Sequence, residues 1–442
     1  MNIELAVILS FTTLLVLMLR YKVHAFLSIL IACLILGILG LEDPLSTFNS
    51  IQKGLGGTLG FVGVIVGLGS FLGAVLQHTG GIELIANRLI QTFGIQRSPI
   101  ALLIAGLIIS IPVFFDVAFI LLIPLIKYLS SQNKGMLLRF ALPFLIGISI
   151  AHAFIPPTPG PVAVADLLQV SVGAVIFWGI LVAVPTALIT FSIANRFLVF
   201  QSTFELSQIS FELNHEASQK PSPNAWAVFV VIFLPLFLMI LGAFSEGLFG
   251  SGTIARIVEG LGHPFIALTL ANILAYPLLA KPGGFSKTEV NEFSSASLKP
   301  VGIILLVTGI GGAFKQLLID TGIGASLAEK VSSYGFSVIV LAFVLAAIVR
   351  LLQGSTTVAM ITSAGLIAPM VTMNSSVEGA MIVLAVASGS LIFSHFNDSG
   401  FWLVSRYLNL TEKETVRSWS LMTLTLSAVS FGLILILWQL FV

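Results

Sequence analysis

Five ionisable side chains fall inside the apolar runs of this 442-residue chain: Asp116, His152, Arg350, His395 and Asp398. A charge in a low-dielectric interior is costly unless it is paired, so such groups are candidates for function before packing. Asp116, His152, His395 and Asp398 can each bind and release a proton. Arg350 has two expected uses, a two-pronged contact to an anion or a pair with a neighbouring acid. Just after it, Gln353, Gly354, Ser355, Thr356 and Thr357 place an amide and three hydroxyls around a glycine. That set suits hydrogen bonding to a carboxylated or polyhydroxylated solute. Back-bonding of the hydroxyls within a helix is the plainer alternative.

Two interruptions flank these groups. AHAFIPPTPGPVAVAD (151–166) carries Pro156, Pro157, Pro159 and Pro161 around Thr158 and Gly160. Each proline inside a helix removes an amide donor and collides with the preceding turn, at a cost of about 3 kcal/mol or more. SHFNDSG (394–400) breaks a second apolar run with Asn397, Asp398, Ser399 and Gly400, whose side chains compete with helix for the backbone. A break exposes helix ends that carry unpaired amides or carbonyls, and an amide-rich end attracts anions. Proline kinks that serve packing alone are the competing account, weakened by four prolines in one break.

Enzyme chemistry finds little support. HExxH, GxSxG and GxxxxGK[ST] are all missing. The single cysteine, Cys33, excludes an internal disulfide and a cysteine-based zinc site. GLGSFLG (67–73) has dinucleotide-like glycines but lies in an apolar run with no preceding strand, where small residues serve helix packing. No cofactor and no metal site are expected. A net charge of +1 without a Lys/Arg tract gives no reason to expect nucleic acid as a partner.

The elements that must position these residues follow from composition. Hydrophobic residues make up 57% of the chain and charged ones 9%, with mean hydropathy +1.08. Soluble proteins carry about 25% charged residues. Apolar stretches of about 20 residues, long enough to cross a bilayer as helices, recur from end to end. The fold class is therefore an all-α polytopic membrane protein, and the lipid bilayer is its first partner. Spans are expected at 3–19, 23–41, 55–77, 140–165, 171–195, 225–243, 263–280, 299–319, 379–405 and 418–441. The first reads as a retained helix, not a signal peptide, because its basic residues follow it and no small-residue cleavage site does. Stretches 99–128 and 336–370 have polar or glycine-rich centres and are expected to be re-entrant hairpins. With the N-terminus outside, 15 of the 20 Lys and Arg residues fall on the inner side, Lys134 and Lys220 among them. Lys53, Arg256, Lys315 and Lys330 stay outside and Arg350 lies in a hairpin. His78, Lys315 and Asp320 fall near outer helix ends, where no function is placed.

An internal repeat organises these spans. GLGSFLGAVLQHTG (67–80) aligns with GIGGAFKQLLIDTG (309–322), with five identities in fourteen positions. Asp116 and Pro157 lie 49 and 90 residues beyond Gly67; Thr357 and Asn397 lie 48 and 88 beyond Gly309. Residues 1–200 and 225–442 then form two repeats joined by a polar cytoplasmic linker, 201–224. Five spans per half require opposite orientations. Inverted repeats with broken helices meeting near mid-membrane characterise secondary transporters. In such a protein Asp116, His152, His395 and Asp398 become candidates to couple protons. Asp116, Pro157, Thr158, Gly160, Gln353, Gly354, Ser355, Thr356, Thr357, Asn397, Asp398 and Ser399 become candidates to hold the solute. Backbone carbonyls at broken helices also ligate sodium, so either ion fits. A passive anion channel is the alternative from another class. A homo-oligomer is compatible with the sequence, and no residue type decides it.

GLGGTLGFVGVIVGLGSFLGAVLQHTGG, IPVFFDVAFILLIP, AHAFIPPTPGP, RLLQGSTTVAMITSAGL and SHFNDSGFWLVSRYLNLTEKETVRSW resemble the gluconate permease family, over nearly the whole chain. The resemblance implies proton symport of gluconate, an anionic sugar acid, across the bacterial inner membrane. It also brings in carriers of D-serine, glycerate or four-carbon sugar acids as alternatives. Gluconate carriers often have His between the prolines, Glu at the first hairpin tip and Gly two residues on. This chain has Thr158, Asp116 and Ala118, and these departures bear on which solute is carried.

Overall fold

A computed structural model describes the chain except residues 1–2, 42, 133–135, 198–220, 222, 323–336, 372 and 374. Most of the expected linker at 201–224, with Lys134, Lys220 and Lys330 of the charge count, lies outside the described residues. No strand occurs among those described.

The first half opens with α1 (Ile3–Leu19) and α2 (Ala25–Gly40), which pack on each other. The 35-residue α3 (Pro44–His78) starts well before the expected residue 55. Asp43 accepts from the Leu45 amide at 3.1 Å and Pro44 presets the first turn, so the helix is nucleated outside the apolar run. Gly80 at φ +76° turns the chain into α4 (Gly81–Phe93), an amphipathic helix that the span pattern did not anticipate. The first hairpin is α5 (Ser98–Ile109) and α6 (Phe115–Ser131), with its tip at 110–114. The first broken helix is α7 (Leu137–Phe154) and α8 (Pro159–Leu167), followed by α9 (Val172–Phe197).

The second half has α10 (Ala225–Ala243), α11 (Ser245–Phe249), α12 (Thr253–Leu261) and α13 (Pro264–Ala275), the last continuing as a π-turn to Ala280. After α14 (Lys287–Ser297) and α15 (Val301–Asp320) comes the second hairpin, α16 (Val338–Gln353) and α17 (Thr356–Ile367). The second broken helix is α18 (Ser376–Ser390) and α19 (Ser399–Tyr407). The short α20 (Glu412–Thr415) leads through a π-turn into α21 (Leu421–Phe441).

The ten uniform spans expected from hydropathy need correction. Among the described residues six helices, counting α7–α8 as one and running the last from α20 through α21, are long and apolar enough to cross a membrane. The pair α12 and α13, bent by 59°, makes a seventh. The helices α1 and α2 stop at 17 and 16 residues. The span 379–405 is interrupted at the break expected at 394–400, α18 ending at Ser390 and α19 beginning at Ser399.

Local geometry recurs between the halves, at spacings of 240 and 242 residues. Both α8 and α19 are nine residues long, and they end alike at Leu168 and Leu408. The next residues, Gln169 and Asn409, take φ of +55° and +53°. The amides of Val170 and Leu410 then reach back to Ala165 and Ser405, each at 2.8 Å. This is the left-handed helix stop that satisfies orphan carbonyls, built twice from non-glycine residues 240 positions apart. A second recurrence lies in the packing of each broken helix on its hairpin. A Cβ at Gly147 would lie 2.3 Å from the Leu103 carbonyl oxygen, and one at Gly389 2.2 Å from that of Phe343. Each glycine stands 80 residues beyond its marker, Gly67 or Gly309. Helices without water between them associate by such close backbone approach.

Gly147→Val is therefore expected to cost about 3 kcal/mol through overpacking against backbone that cannot yield. The thermal unfolding midpoint of the purified protein in detergent should fall clearly. Gly56→Val, at a position with no atom within 4 Å, should leave it nearly unchanged.

The halves meet along α3 and α15, where a Cβ at Gly54 would lie 2.5 Å from the Gly312 oxygen. Thr58 of α3 hydrogen-bonds Asp166 of α8, and Lys315 of α15 lies within electrostatic reach of the same carboxylate. Asp320 accepts from Ser50 at 2.6 Å and from Gln316 at 2.7 Å, while His78 stacks on Phe293 with centroids 4.3 Å apart. These three outer-end residues thus have structural partners.

Candidate functional site

The second hairpin and the second break are built against each other. Helix α16 ends because Gly354 adopts φ +82°, its amide returning to the Arg350 carbonyl at 2.9 Å. That ending leaves carbonyls without helical partners. The Leu351 oxygen accepts from His395 Nε2–H and from Asn397 Nδ2–H, both at 2.9 Å. The Gly354 oxygen accepts from Arg350 Nη1. A Cβ at Gly354 would sit 2.2 Å from the Asn397 oxygen, so tip and break touch backbone to backbone.

Asp398 organises the break. One oxygen caps α19 by accepting from the Gly400 amide at 2.9 Å. The other takes Arg350 Nη2 at 2.5 Å and the Ser394 hydroxyl. Ser394 in turn accepts from the Trp419 indole N–H at 2.7 Å, and its own amide donates to Thr423. Arg350 and Asp398 are 4% and 6% exposed, which makes this a buried, mutually neutralised pair. Of the two uses expected for Arg350, the structure has the pair.

The first tip and break are arranged differently. Asp116 stands in the first turn of α6, whose N-terminal amides have no side-chain cap. It is exposed, lies within electrostatic range of Asp398, and has no cation within salt-bridge distance among the described residues. Pro157, Thr158 and Gly160 are buried. Thr158 turns its hydroxyl back to the Ile155 oxygen at 2.8 Å, Pro157 packs on Gly69, and a Cβ at Gly160 would meet Met360 Sδ at 2.7 Å. The gap between this break, the first tip and α3 measures only about 10 Å³, room for no more than about one water. A larger hollow of about 370 Å³ lies elsewhere, lined by Leu41, Ser46, Asn49, Ser50, Lys53 and Asp320, and holds none of the tip or break residues.

The first tip meets the region of the second break. Phe115, next to Asp116, packs on Trp419 with centroids 5.6 Å apart, and Phe119 meets Tyr407 edge-on at 6.3 Å. Around this junction several polar groups remain uncommitted. Gln353 Oε1 and His152 Nδ1 are buried without partners, and His152 lies against Phe114. Ser355 caps α17 by accepting from the Val358 amide at 3.3 Å and keeps its own hydroxyl proton to donate. Thr356 and Thr357 are half-buried with no side-chain bond among the described residues, and Ser399 is exposed.

Helix amides contribute unevenly. Helix α8 begins Pro159-Gly160-Pro161, so two of its first three residues have no N–H, and Asp398 already caps α19. Of the remaining two, α6 has no side-chain cap, and at α17 the Ser355 hydroxyl takes the Val358 amide alone. Ser394 and Trp419 escaped the sequence reading; the i, i+4 spacing of Ser394 to Asp398 was the one local signal for the first, and Trp419 had none.

Re-entrant hairpins set against broken helices in an all-α chain define a transporter-type membrane fold. The chain matches the model of the GntP family permease over residues 1–441 and belongs to that family. It is 36% identical to the gluconate permease of Pseudomonas aeruginosa, over 96% of this chain and 95% of that one. It is 33% identical to the Gnt-II system L-idonate transporter of Escherichia coli, over 94% of each. Identity to the low-affinity gluconate transporter of Escherichia coli is also 33%, over 97% and 96%. In fold it resembles the crystal structure of the Alcanivorax borkumensis YdaH transporter, with a TM-score of 0.67, 17% identity, and coverage of 95% of this chain and 99% of that one. The protein is a multi-pass inner-membrane permease, not an enzyme.

Proposed function

We propose that this permease imports a small hydroxylated monocarboxylate, gluconate before others, together with a proton. The observation that carries the reading is the charge balance where the first tip meets the second break. Arg350 and Asp398 neutralise each other, which leaves Asp116 as the unpaired charge there. A sugar-acid carboxylate would bring a second negative charge close to the first, and like charges repel. One proton on Asp116 removes that repulsion, so solute and proton favour each other's binding, as coupling requires. The solute's carboxylate would face the first turn of α17 and the hydroxyls of Ser355, Thr356 and Thr357. Its own hydroxyls would find acceptors in Gln353 Oε1 and Asn397 Oδ1. The two halves would lie in opposite orientations, so that this junction opens alternately to each side. The names of the relatives, gluconate and L-idonate carriers, support the same solute class.

Purified protein in liposomes should accumulate labelled gluconate under an inward proton gradient, and a proton ionophore should abolish the accumulation. Accumulation that ignores the ionophore but follows a sodium gradient would overturn proton coupling. Unsaturable flux without accumulation would make the protein a channel. Stronger competition by D-serine, glycerate or a four-carbon sugar acid than by unlabelled gluconate would reassign the solute.

A further inference from the structure

We infer that Arg350 is a positioning residue for transport: its guanidinium is a tethered cation that holds the second hairpin tip and the second break together as one wall of the solute site. This rests on the transport reading above. Two acceptors converge on the guanidinium, the Gly354 carbonyl at the tip and the Asp398 carboxylate at the break, 48 residues beyond Arg350. A main-chain carbonyl facing a carboxylate is the oxygen set that a hard cation takes. Here the chain fills that place with its own side chain.

The acceptors of the two terminal nitrogens are themselves held, while Nε is buried without a partner among the described residues. Asp398 is held by Ser394, Ser394 by Trp419, and the α19 cap by the second carboxylate oxygen. The tip is pinned a second time where His395 and Asn397 donate to Leu351. Gln353, Ser355, Thr356 and Thr357, the groups with free polar atoms, therefore sit within or directly after a segment tied twice to the break, at Leu351 and at Gly354. Among the described residues the first half shows no such device, and the hydroxyl of Thr158, which precedes α8 as Asp398 precedes α19, bonds back to Ile155. Arg350 and Asp398 thus leave the set of solute or proton ligands and become the frame that places that set.

The test uses gluconate uptake into liposomes by Arg350→Ala, Asp398→Asn and the double variant Arg350→Gln/Asp398→Asn. Each single variant strands one buried charge and loosens the tip, so uptake should fall at least about tenfold. Asparagine keeps an oxygen for the α19 cap, and the double variant leaves no lone charge, so its uptake should exceed either single by at least about threefold. Added guanidinium ion should raise uptake by Arg350→Ala and leave Asp398→Asn unchanged, a response that a loss of folded protein cannot mimic. Arg350→Ala retaining more than half of wild-type uptake, or failure of both the double variant and guanidinium to restore it, overturns the inference. If the wild type does not transport gluconate, the transport reading fails and the clamp is judged by thermal unfolding of the same purified proteins. There the double variant must melt above both singles, and a double no more stable than the worse single overturns it.

Discussion

Asp116→Asn protein in liposomes should exchange labelled for unlabelled gluconate yet fail to accumulate it. A one-to-one symport of a proton with a monoanion converts each pH unit of gradient into about a tenfold concentration ratio, because 1.4 kcal/mol is a factor of ten. Asparagine has the shape of the protonated acid and no exchangeable charge. The site would then accept solute in every state, and movement would continue in both directions without a link to the gradient. Under one unit of inward gradient the accumulation ratio should drop from about 10 to about 1, while exchange stays within a few-fold of wild type. Asp116→Glu should keep coupling, since the carboxyl remains, with altered affinity from its extra methylene. Loss of exchange together with accumulation would show that Asp116 binds the solute and does not carry the proton. Retained accumulation would move the proton to His152 or His395, because Asp398 is already committed to Arg350.

Gly354→Ala should be the most damaging single methyl group in the chain. The position needs φ +82°, which costs a residue with a Cβ about 1–2 kcal/mol. The new carbon would also lie 2.2 Å from the Asn397 oxygen and 2.5 Å from its carbonyl carbon, which are backbone atoms. Overpacking of that kind adds about 1–3 kcal/mol. The tip can relieve the clash only by backing away from the break, which stretches the bonds to Leu351 and the clamp through Arg350. Uptake should fall at least about tenfold, with a lower melting temperature. Gly302→Ala, in α15 with no atom within 4 Å, should leave both unchanged. A fully active Gly354→Ala protein would mean that contact between tip and break is not needed for transport.

Much of the framework was legible in the chain. The prolines at 156–161 and the FNDSG run at 396–400 interrupt helices for reasons contained in those residues, and both breaks stand where expected. The hairpin tips were legible too, at 110–114 and 354–355. Hydropathy was less reliable at helix limits: α3 starts early because a cap and a proline set its beginning, and α4 escaped notice because a one-sided apolar helix has no long apolar run.

The side chains of the site divide along the same line. Thr158 looked like the most informative residue of the proline break, yet it is buried and bonded to its own turn. Asp398 looked like a proton or solute ligand, and it caps a helix while neutralising Arg350. Asp116, equally isolated in sequence, is the acid without a cation. By itself the sequence determined the membrane class, the breaks and the tips, because helix propensity, chain stiffness and hydropathy act over a few neighbouring residues. Only the tertiary structure decided which charges are spent and which are free. A buried charge takes its partner from whatever the fold brings within a few ångströms, here from 48 residues away, and no local pattern records that choice.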